Sequence, residues 1–418
     1  VLSQIRKAQF GESLLAGLVI ALIAMLIDRT TSGLVAHSSD YQTATKTGLA
    51  RYSSWFIAIF GSLLLYLLAT VVPIFDVWPR EMEINPARSM NEGLTYVIVN
   101  FREQIETVKT FAFFFVMLPA KIGLQGSVSP FTWGFELQTW HSVSYGIIMS
   151  LIAIWVGLRF KQQAAFVVLL FAIFFYVGLT KMPWLSVIFV YSFIAWKVSD
   201  YKLGIAAFIG LFFLALSGIW PETMLSIYLC GIAVIVSFVA GSALGIWAAS
   251  NNTVSAILRP VNDTLQTMPL FVILIPFVMI FKIGEFTALL AIIAYAIVPA
   301  IRYTEHGLRN LPSGVIEAAK MMGCTNNQML WSVKIPLALP VMMLGLNQTI
   351  MFGIAMLVIA ALVGTNGLEQ IVYIGLSDGN FGVGLIAGMG LAIIAMIADR
   401  MTQSWSRRRQ EKYGILIN

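Results

Sequence analysis

The sequence predicts an all-α integral membrane protein, a polytopic helical bundle. Hydrophobic residues make up 59% of the chain and charged residues 11%, with a mean hydropathy of +0.85. That is more apolar surface than a soluble globule can bury. The apolar runs are long and continuous, on the scale of the roughly 20 residues that a spanning helix needs. They also lack the in–out alternation of a membrane barrel, and within a bilayer only helices and closed barrels satisfy their own backbone hydrogen bonds.

Residues 1–53 give a short basic start, one span over 14–26, and a polar loop with His37, Asp40, Lys46 and Arg51. The first run is followed by Ile27-Asp28-Arg29 and not by small residues, so no cleavable signal is expected. A second span covers 55–75, and a charged interval, 76–109, leads into an apolar continuation over 111–118. Within 96–124, Arg102, Glu103, Glu106 and Lys109 alternate with Ile105, Val108, Phe111 and Phe114. This pattern suits an interfacial helix as well as a spanning one. The stretch 123–144 has no Lys or Arg and carries Trp133 and Trp140, as expected of an external loop with an aromatic belt.

Four runs follow, 145–158, 164–179, 184–196 and 204–219, joined by connectors that alternate between more and less basic. Several are shorter than a perpendicular span, which predicts hairpins or tilt. From Thr223 five spans are expected: 224–249, 269–281, 286–300, 336–362 and 382–398. Their connectors on one side are 250–266 and 310–340, and on the other 282–285 and 363–381.

The net charge of +6 would suggest nucleic acid in a soluble protein, but the positive-inside rule accounts for it and no nucleic-acid partner is expected. Arg407, Arg408, Arg409 and Lys412 lie beyond the last span, and Arg309 and Lys320 lie two spans earlier, on the same side. That side, with the C-terminus, is expected to be cytoplasmic. Cys230 in an apolar run and Cys324 in a loop expected to be cytoplasmic argue against a disulfide on both geometry and redox grounds.

The longest polar interval of the C-terminal half is 310–340. Ser313 is placed to cap a short helix after Leu311-Pro312, and Gly323 to end it in the left-handed conformation. Thr325 and Gln328 have capping-box spacing for a second helix, and Pro336 marks a backbone readjustment before the next span. Glu317-Ala318-Ala319, then Gly323, then Val333-Lys334-Ile335-Pro336 resembles the EAA loop of bacterial ABC importer permeases. The segments Leu265-Gln266-Thr267-Met268-Pro269, Gly345-Leu346-Asn347-Gln348-Thr349 and Asp399-Arg400-Met401-Thr402-Gln403 sharpen this, and over 222–403 the chain resembles the permeases of glycine betaine/proline betaine importers.

The resemblance implies a MetI-like five-helix core over 222–403, with a coupling loop at 310–336. The stretch 1–221 exceeds the usual length in that family and is expected to be an accessory membrane or scaffold region, and the charge pattern makes 404–418 a cytoplasmic basic tail. It implies a homodimer in the bacterial cytoplasmic (inner) membrane that moves a small osmolyte such as glycine betaine, proline betaine, choline or trimethylamine N-oxide. The partners it implies are lipid, an extracytoplasmic substrate-binding protein and an ABC ATPase subunit that binds ATP and Mg, with no cofactor in this chain. Ile316, Glu317, Ala318, Ala319, Lys320, Gly323, Thr325 and Gln328 are the ATPase-coupling candidates, against the plainer reading of an amphipathic interfacial loop. Asn347, Gln348 and Thr349 either line the translocation path or hold helices together. Asn366, Glu369 and Asp378 in the glycine-rich loop are candidates for an outer gate that meets the binding protein, or simply part of a solvated loop.

Gly241-x-x-x-Gly245 and Gly384-x-x-x-Gly388 read as close helix contacts. His37, His141 and His306 are far apart, and no Walker A, H-E-x-x-H or Gly-x-Ser-x-Gly motif is present. Neither a catalytic nor a metal site is therefore expected. The rival class is an ion-coupled secondary transporter for a small zwitterion, which calls for midplane carboxylates in broken spans.

Overall fold

The computed structural model describes residues 10–39, 53–72, 86–159 and 162–413, and among them the regular elements are all helical. Asp40, Lys46, Arg51, Asp76, Phe160 and Lys161 lie outside the described residues. The chain forms two compact units that meet in sequence at Thr95 and Tyr96.

The first unit holds helix α1, Phe10–Ser39, helix α2, Ser53–Val71, and most of α3, Ala87–Asn100. α1 does not stop where the apolar run ends at Leu26 but continues through Asp28 and Arg29. Thr30 and Thr31 donate their hydroxyls to the Ile27 carbonyl at 2.9 and 2.7 Å, so the polar residues satisfy themselves on the helix backbone. Gly11 is where α1 meets α3. Its N–H donates to Asn91 Oδ1 at 2.7 Å, and a Cβ there would stand 2.2 Å from the Ala87 carbonyl oxygen.

The second unit begins with α4, Arg102–Ala112, which passes through a π-helical turn, Phe113–Met117, into α5, Leu118–Ile122. Lys109 Nζ donates to the Phe281 carbonyl at 3.4 Å, and Lys121 pairs with Glu285 only four residues farther on. Two points of one rod anchored to one end of the bundle describe a run across that end, the interfacial alternative. Two hairpins follow, α6, Thr139–Arg159, with α7, Gln162–Val177, and α8, Trp184–Val198, with α9, Tyr201–Leu216. Of these four helices only α6 is long enough to span by itself.

The core comprises α10, Trp220–Ser250; α11, Asn252–Thr267; α12, Leu270–Phe281; and α13, Glu285–Arg309. After the loop come α15, Ile335–Ala360, a short α16, Leu368–Ser377, and α17, Phe381–Tyr413; α14 is the helix of the loop itself, Ser313–Met321. α13 lies at the centre, packed along α10 on one side and α15 on the other. Small residues set these approaches. A Cβ on Gly241 would stand 2.6 Å from Ala300 Cβ, and one on Gly245 would stand 2.7 Å from the Ile301 carbonyl oxygen, so the first glycine pair is a helix contact as expected. Of the second pair only Gly384 is: it faces Gly375 of α16, and Gly388 has open space.

The expected span 269–281 needs correction. α12 has 12 residues, about 18 Å at 1.5 Å per residue, and turns 103° from α11. It cannot cross alone. Arg309 at the end of α13 donates to the Ala248 carbonyl, and Tyr228 near the start of α10 donates to Glu285 at the start of α13. α10 and α13 are therefore parallel and level, so the chain between them must return the full depth: α11 and α12 together make one broken crossing. α13 also runs nine residues past its expected end at Ala300, and α17 continues through Arg407–409, so both project beyond the apolar zone.

The basic residues gather at one end. Arg309, Lys320 and Arg407 to Arg409 share it, because Ser406 Oγ of α17 donates to the Pro340 carbonyl of α15, and Gly307 of α13 packs on Val341. This is the basic end; the end with Glu285 and the loop before α16 is the distal end.

Candidate functional site: a braced loop at the basic end

α13 delivers the chain to the loop. Pro312, with φ −56° and ψ 126°, holds a non-helical conformation immediately before α14. Pro312 is thus the N-cap position and Ser313 the first helical residue, with no side-chain cap. This corrects the capping role expected of Ser313: the proline sets the entry by its backbone alone. At the other end Gly323 takes φ +79°, and the chain closes on the helix with Gly323 N–H donating to the Lys320 carbonyl at 2.9 Å and Cys324 N–H to the Ala319 carbonyl at 3.2 Å. Ala319 is buried and Ile316 half-buried, whereas Glu317, Ala318 and Lys320 are exposed. Met321 and Met322 are 90% and 85% exposed.

The Thr325–Gln328 capping box forms in both directions: Thr325 N–H donates to Gln328 Oε1 at 3.0 Å and Gln328 N–H to Thr325 Oγ1 at 3.4 Å. The helix it starts is not a separate element. After Asn326–Gln328 it widens into a π-helical segment, Met329–Lys334, and runs directly into α15. Pro336 supplies the cause, since it lacks the N–H that the Ser332 carbonyl would bind in an α-helix. Loop and span are thereby one continuous rod below the glycine turn.

A polar brace stands at the base. Glu305, 8% exposed, accepts from Ser255 Oγ at 2.6 Å and from Arg309 Nε at 2.9 Å, with Arg259 at 3.9 Å. Arg309 also donates to Asn252 Oδ1 at 3.0 Å and to the Ala248 carbonyl at 2.7 Å. The last carbonyls of α10 have no partner within their own helix, and the guanidinium supplies one while tying three helix ends together. Arg302 pairs with Asp263 beside it. A cavity of about 690 Å³ opens among these groups. Arg309 was visible in the sequence only as a topology marker, and Glu305 and Ser255, 50 residues apart, gave no local signal.

The candidates of α15 separate. Asn347, 6% exposed, donates to Asp399 Oδ1 at 2.8 Å and accepts from Thr402 Oγ1, so its amide joins α15 to α17. Thr349, fully buried, donates to the Gly345 carbonyl of its own helix at 2.9 Å. Gln348 lines a polar cavity of about 580 Å³ at the basic end, with Tyr303, Gln403, Arg407 and Glu411, and Asn347 borders the same cavity.

At the distal end Asn366 and Asp378 are exposed. Glu369 is not: it is 1% exposed, accepts from Ser226 Oγ at 2.6 Å and lies under the loop. This corrects the expectation that it offers a charge to a partner. Ser226 Oγ in turn accepts from Leu368 N–H at 2.7 Å, so one hydroxyl seats α16 on α10. Among the described residues no group of His, Cys, Asp and Glu could hold a metal ion.

The family model for "binding-protein-dependent transport system inner membrane component" matches residues 241–410, which include the loop and its brace. The chain is similar to the glycine betaine/proline betaine transport system permease protein ProW of Escherichia coli, 38% identical over 55% of this chain and 65% of that protein. It is 35% identical to the glycine betaine transport system permease protein OpuAB of Bacillus subtilis, over 56% of this chain and 83% of that protein. The trimethylamine N-oxide transport system permease protein TmoV of Pelagibacter ubique is 39% identical over 49% of this chain and 28% of that protein. The chain thus spans just under two thirds of the length of ProW but more than four fifths of OpuAB. With an all-helical fold and a match of that extent, this chain belongs to the family of binding-protein-dependent transport system inner membrane components.

Proposed function

We propose that the chain is the membrane-spanning permease subunit of an ATP-driven importer for a small compatible solute of the glycine betaine, proline betaine, choline or trimethylamine N-oxide type. The observation that carries this reading is α14: a short helix with an exposed face, ended at the Gly323 turn and followed at once by the rod that starts at Asn326 and runs through Pro336 into the spanning α15. Such an element moves as a body, which is what a mechanical link to a separate motor requires. Ile316, Glu317, Ala318, Ala319, Lys320 and Gly323 form the link, with Thr325 and Gln328 fixing its second corner. Met321 and Met322 add adaptable apolar contact.

The motor is a partner ABC ATPase subunit, which binds ATP and Mg; this chain supplies no ATPase site. Two copies of the chain pair in the inner membrane, with the basic end and the C-terminus cytoplasmic by the positive-inside rule. The distal end, with Asn366 and Asp378 exposed, faces an extracytoplasmic substrate-binding protein that supplies most of the substrate choice. Residues 222–403 are the permease core, 1–221 an accessory membrane region and 404–418 a basic tail. Closure of the ATPase pair draws the two loops together and opens the distal gate; hydrolysis restores the cytoplasm-open state.

Reconstitution tests this. Proteoliposomes holding the chain, its ATPase subunit and binding protein should accumulate radiolabelled glycine betaine or trimethylamine N-oxide only when ATP is enclosed on the cytoplasmic side. Uptake by the chain alone under a sodium or proton gradient would establish the ion-coupled alternative instead.

A further inference from the structure

We propose that Lys121 is a positioning residue for transport, which holds Glu285 and, through Glu285, the loop ahead of α16 in the closed arrangement of the distal end. The region preceding the core would then control the core's gate. This rests on the reading of the distal end as an outer gate.

Lys121 stands on a stiff carrier. The Ala120 carbonyl accepts from Leu179 N–H at 3.0 Å, and the Lys121 carbonyl accepts from Thr180 N–H at 3.0 Å and Thr180 Oγ1 at 2.6 Å. Gly123, at φ +82°, and Gly178, at φ +73°, let the two chains touch: a Cβ on Gly178 would stand 2.1 Å from Gly123 N. From this clamp Lys121 Nζ reaches Glu285 Oε1 at 2.6 Å, with the two side chains 22% and 14% exposed.

Four elements converge on Glu285. Besides Lys121 of α5, Tyr228 of α10 donates to Oε2 at 3.4 Å, and Asn366 of the loop donates to Oε1 at 3.5 Å. Glu285 is itself the first residue of α13, where a carboxylate is favoured by the helix N-terminus. The loop contact is the longest of the three and the lysine contact the shortest, so the loop can part from Glu285 while the pair persists. α13 is one unbroken helix of 25 residues, about 37 Å, whose far end carries the brace and the 310–336 loop. Movement there reaches the Lys121–Glu285 pair along a single rod.

A cysteine at Thr365 reports the gate. Thr365 is 1% exposed and its hydroxyl has no partner, so Thr365→Cys leaves no bond unmade. In nanodiscs carrying the full complex, its reaction with a membrane-impermeant maleimide should be slow without ATP and fast with ATP and a hydrolysis-blocked ATPase subunit. Lys121→Met and Glu285→Gln should each raise the ATP-free rate roughly tenfold, the mark of a shifted two-state population. Lys121→Arg, which keeps the positive charge beside Glu285, should bring it back toward the parent rate. An ATP-free rate that is unchanged by Lys121→Met, in complexes that still respond to ATP, overturns this inference alone. A rate raised by Lys121→Met but not restored by Lys121→Arg overturns it as well, since lost packing then suffices. If the parent Thr365→Cys complex ignores ATP, the gate reading itself fails.

Discussion

Arg309 shows what a single side chain contributes here. Its guanidinium meets a carboxylate, an amide oxygen and a backbone carbonyl on three helices, all within 3.0 Å. Glu305 is the buried half of that arrangement, and removing it leaves the Ser255 hydroxyl and Arg309 Nε without their acceptor. Glu305→Ala should destabilise the fold by roughly 1.5–3 kcal/mol, the usual worth of hydrogen bonds to a charged group. The check is the midpoint of thermal unfolding in nanodiscs, and Glu305→Gln, which keeps an acceptor, should recover part of the loss. Asn347 is the contrasting case. Its bonds to Asp399 and Thr402 commit it to joining α15 and α17. Asn347→Leu should therefore lower stability and, because Asn347 also borders the cavity, alter solute preference in uptake assays, while Gln348→Leu should alter solute preference with less loss of stability. The sequence marked both as polar residues in an apolar run but could not separate them, because the partners of Asn347 lie more than 50 residues away.

At the scale of elements, what could be read in advance was what depends on neighbours within four residues. Gly323 and the Thr325–Gln328 box are of this kind, and both formed as expected. So is the glycine pair on α10, whose spacing alone places Gly241 and Gly245 on one face. Elements defined by what they meet were not legible. α12 is as apolar as a span but too short, and only the level pairing of α10 with α13 shows that α11 completes its crossing. Glu369 sits in a glycine-rich stretch that reads as solvated, yet Ser226, 143 residues earlier, draws it into the interior. The glycines give a direct comparison. Gly245→Ala places a methyl group 2.7 Å from the Ile301 carbonyl oxygen and should cost about 1–3 kcal/mol through overpacking against α13. Gly388→Ala meets nothing within 4 Å and should be neutral or slightly stabilising, since alanine favours the helix by up to about 1 kcal/mol. Folded yield after detergent extraction and unfolding temperature both report the difference.

At the scale of the whole molecule, the two ends of α13 organise the account: a brace and an exposed loop at the basic end, an ion pair and a seated loop at the distal end. The carboxylates Glu285 and Glu369 lie toward one end and Asp263 and Glu305 toward the other, while Asp399, on the side of the basic end, is committed to Asn347; this suits gates and braces better than a midplane ion site. The central claim is that α14 passes work from a partner ATPase into α13 and α15, the helices on either side of the loop. The direct test compares Gly323→Val with Gly323→Asn in nanodiscs containing the chain and its ATPase subunit, measuring ATP hydrolysis as solute-loaded binding protein is added. Gly323 has open space around it and differs from other residues only in its φ of +79°, which asparagine tolerates and valine does not. The account predicts that both variants assemble, that Gly323→Asn keeps stimulation by the loaded binding protein, and that Gly323→Val loses most of it. Equal stimulation of assembled Gly323→Val and the parent chain would contradict the claim that this loop is the link.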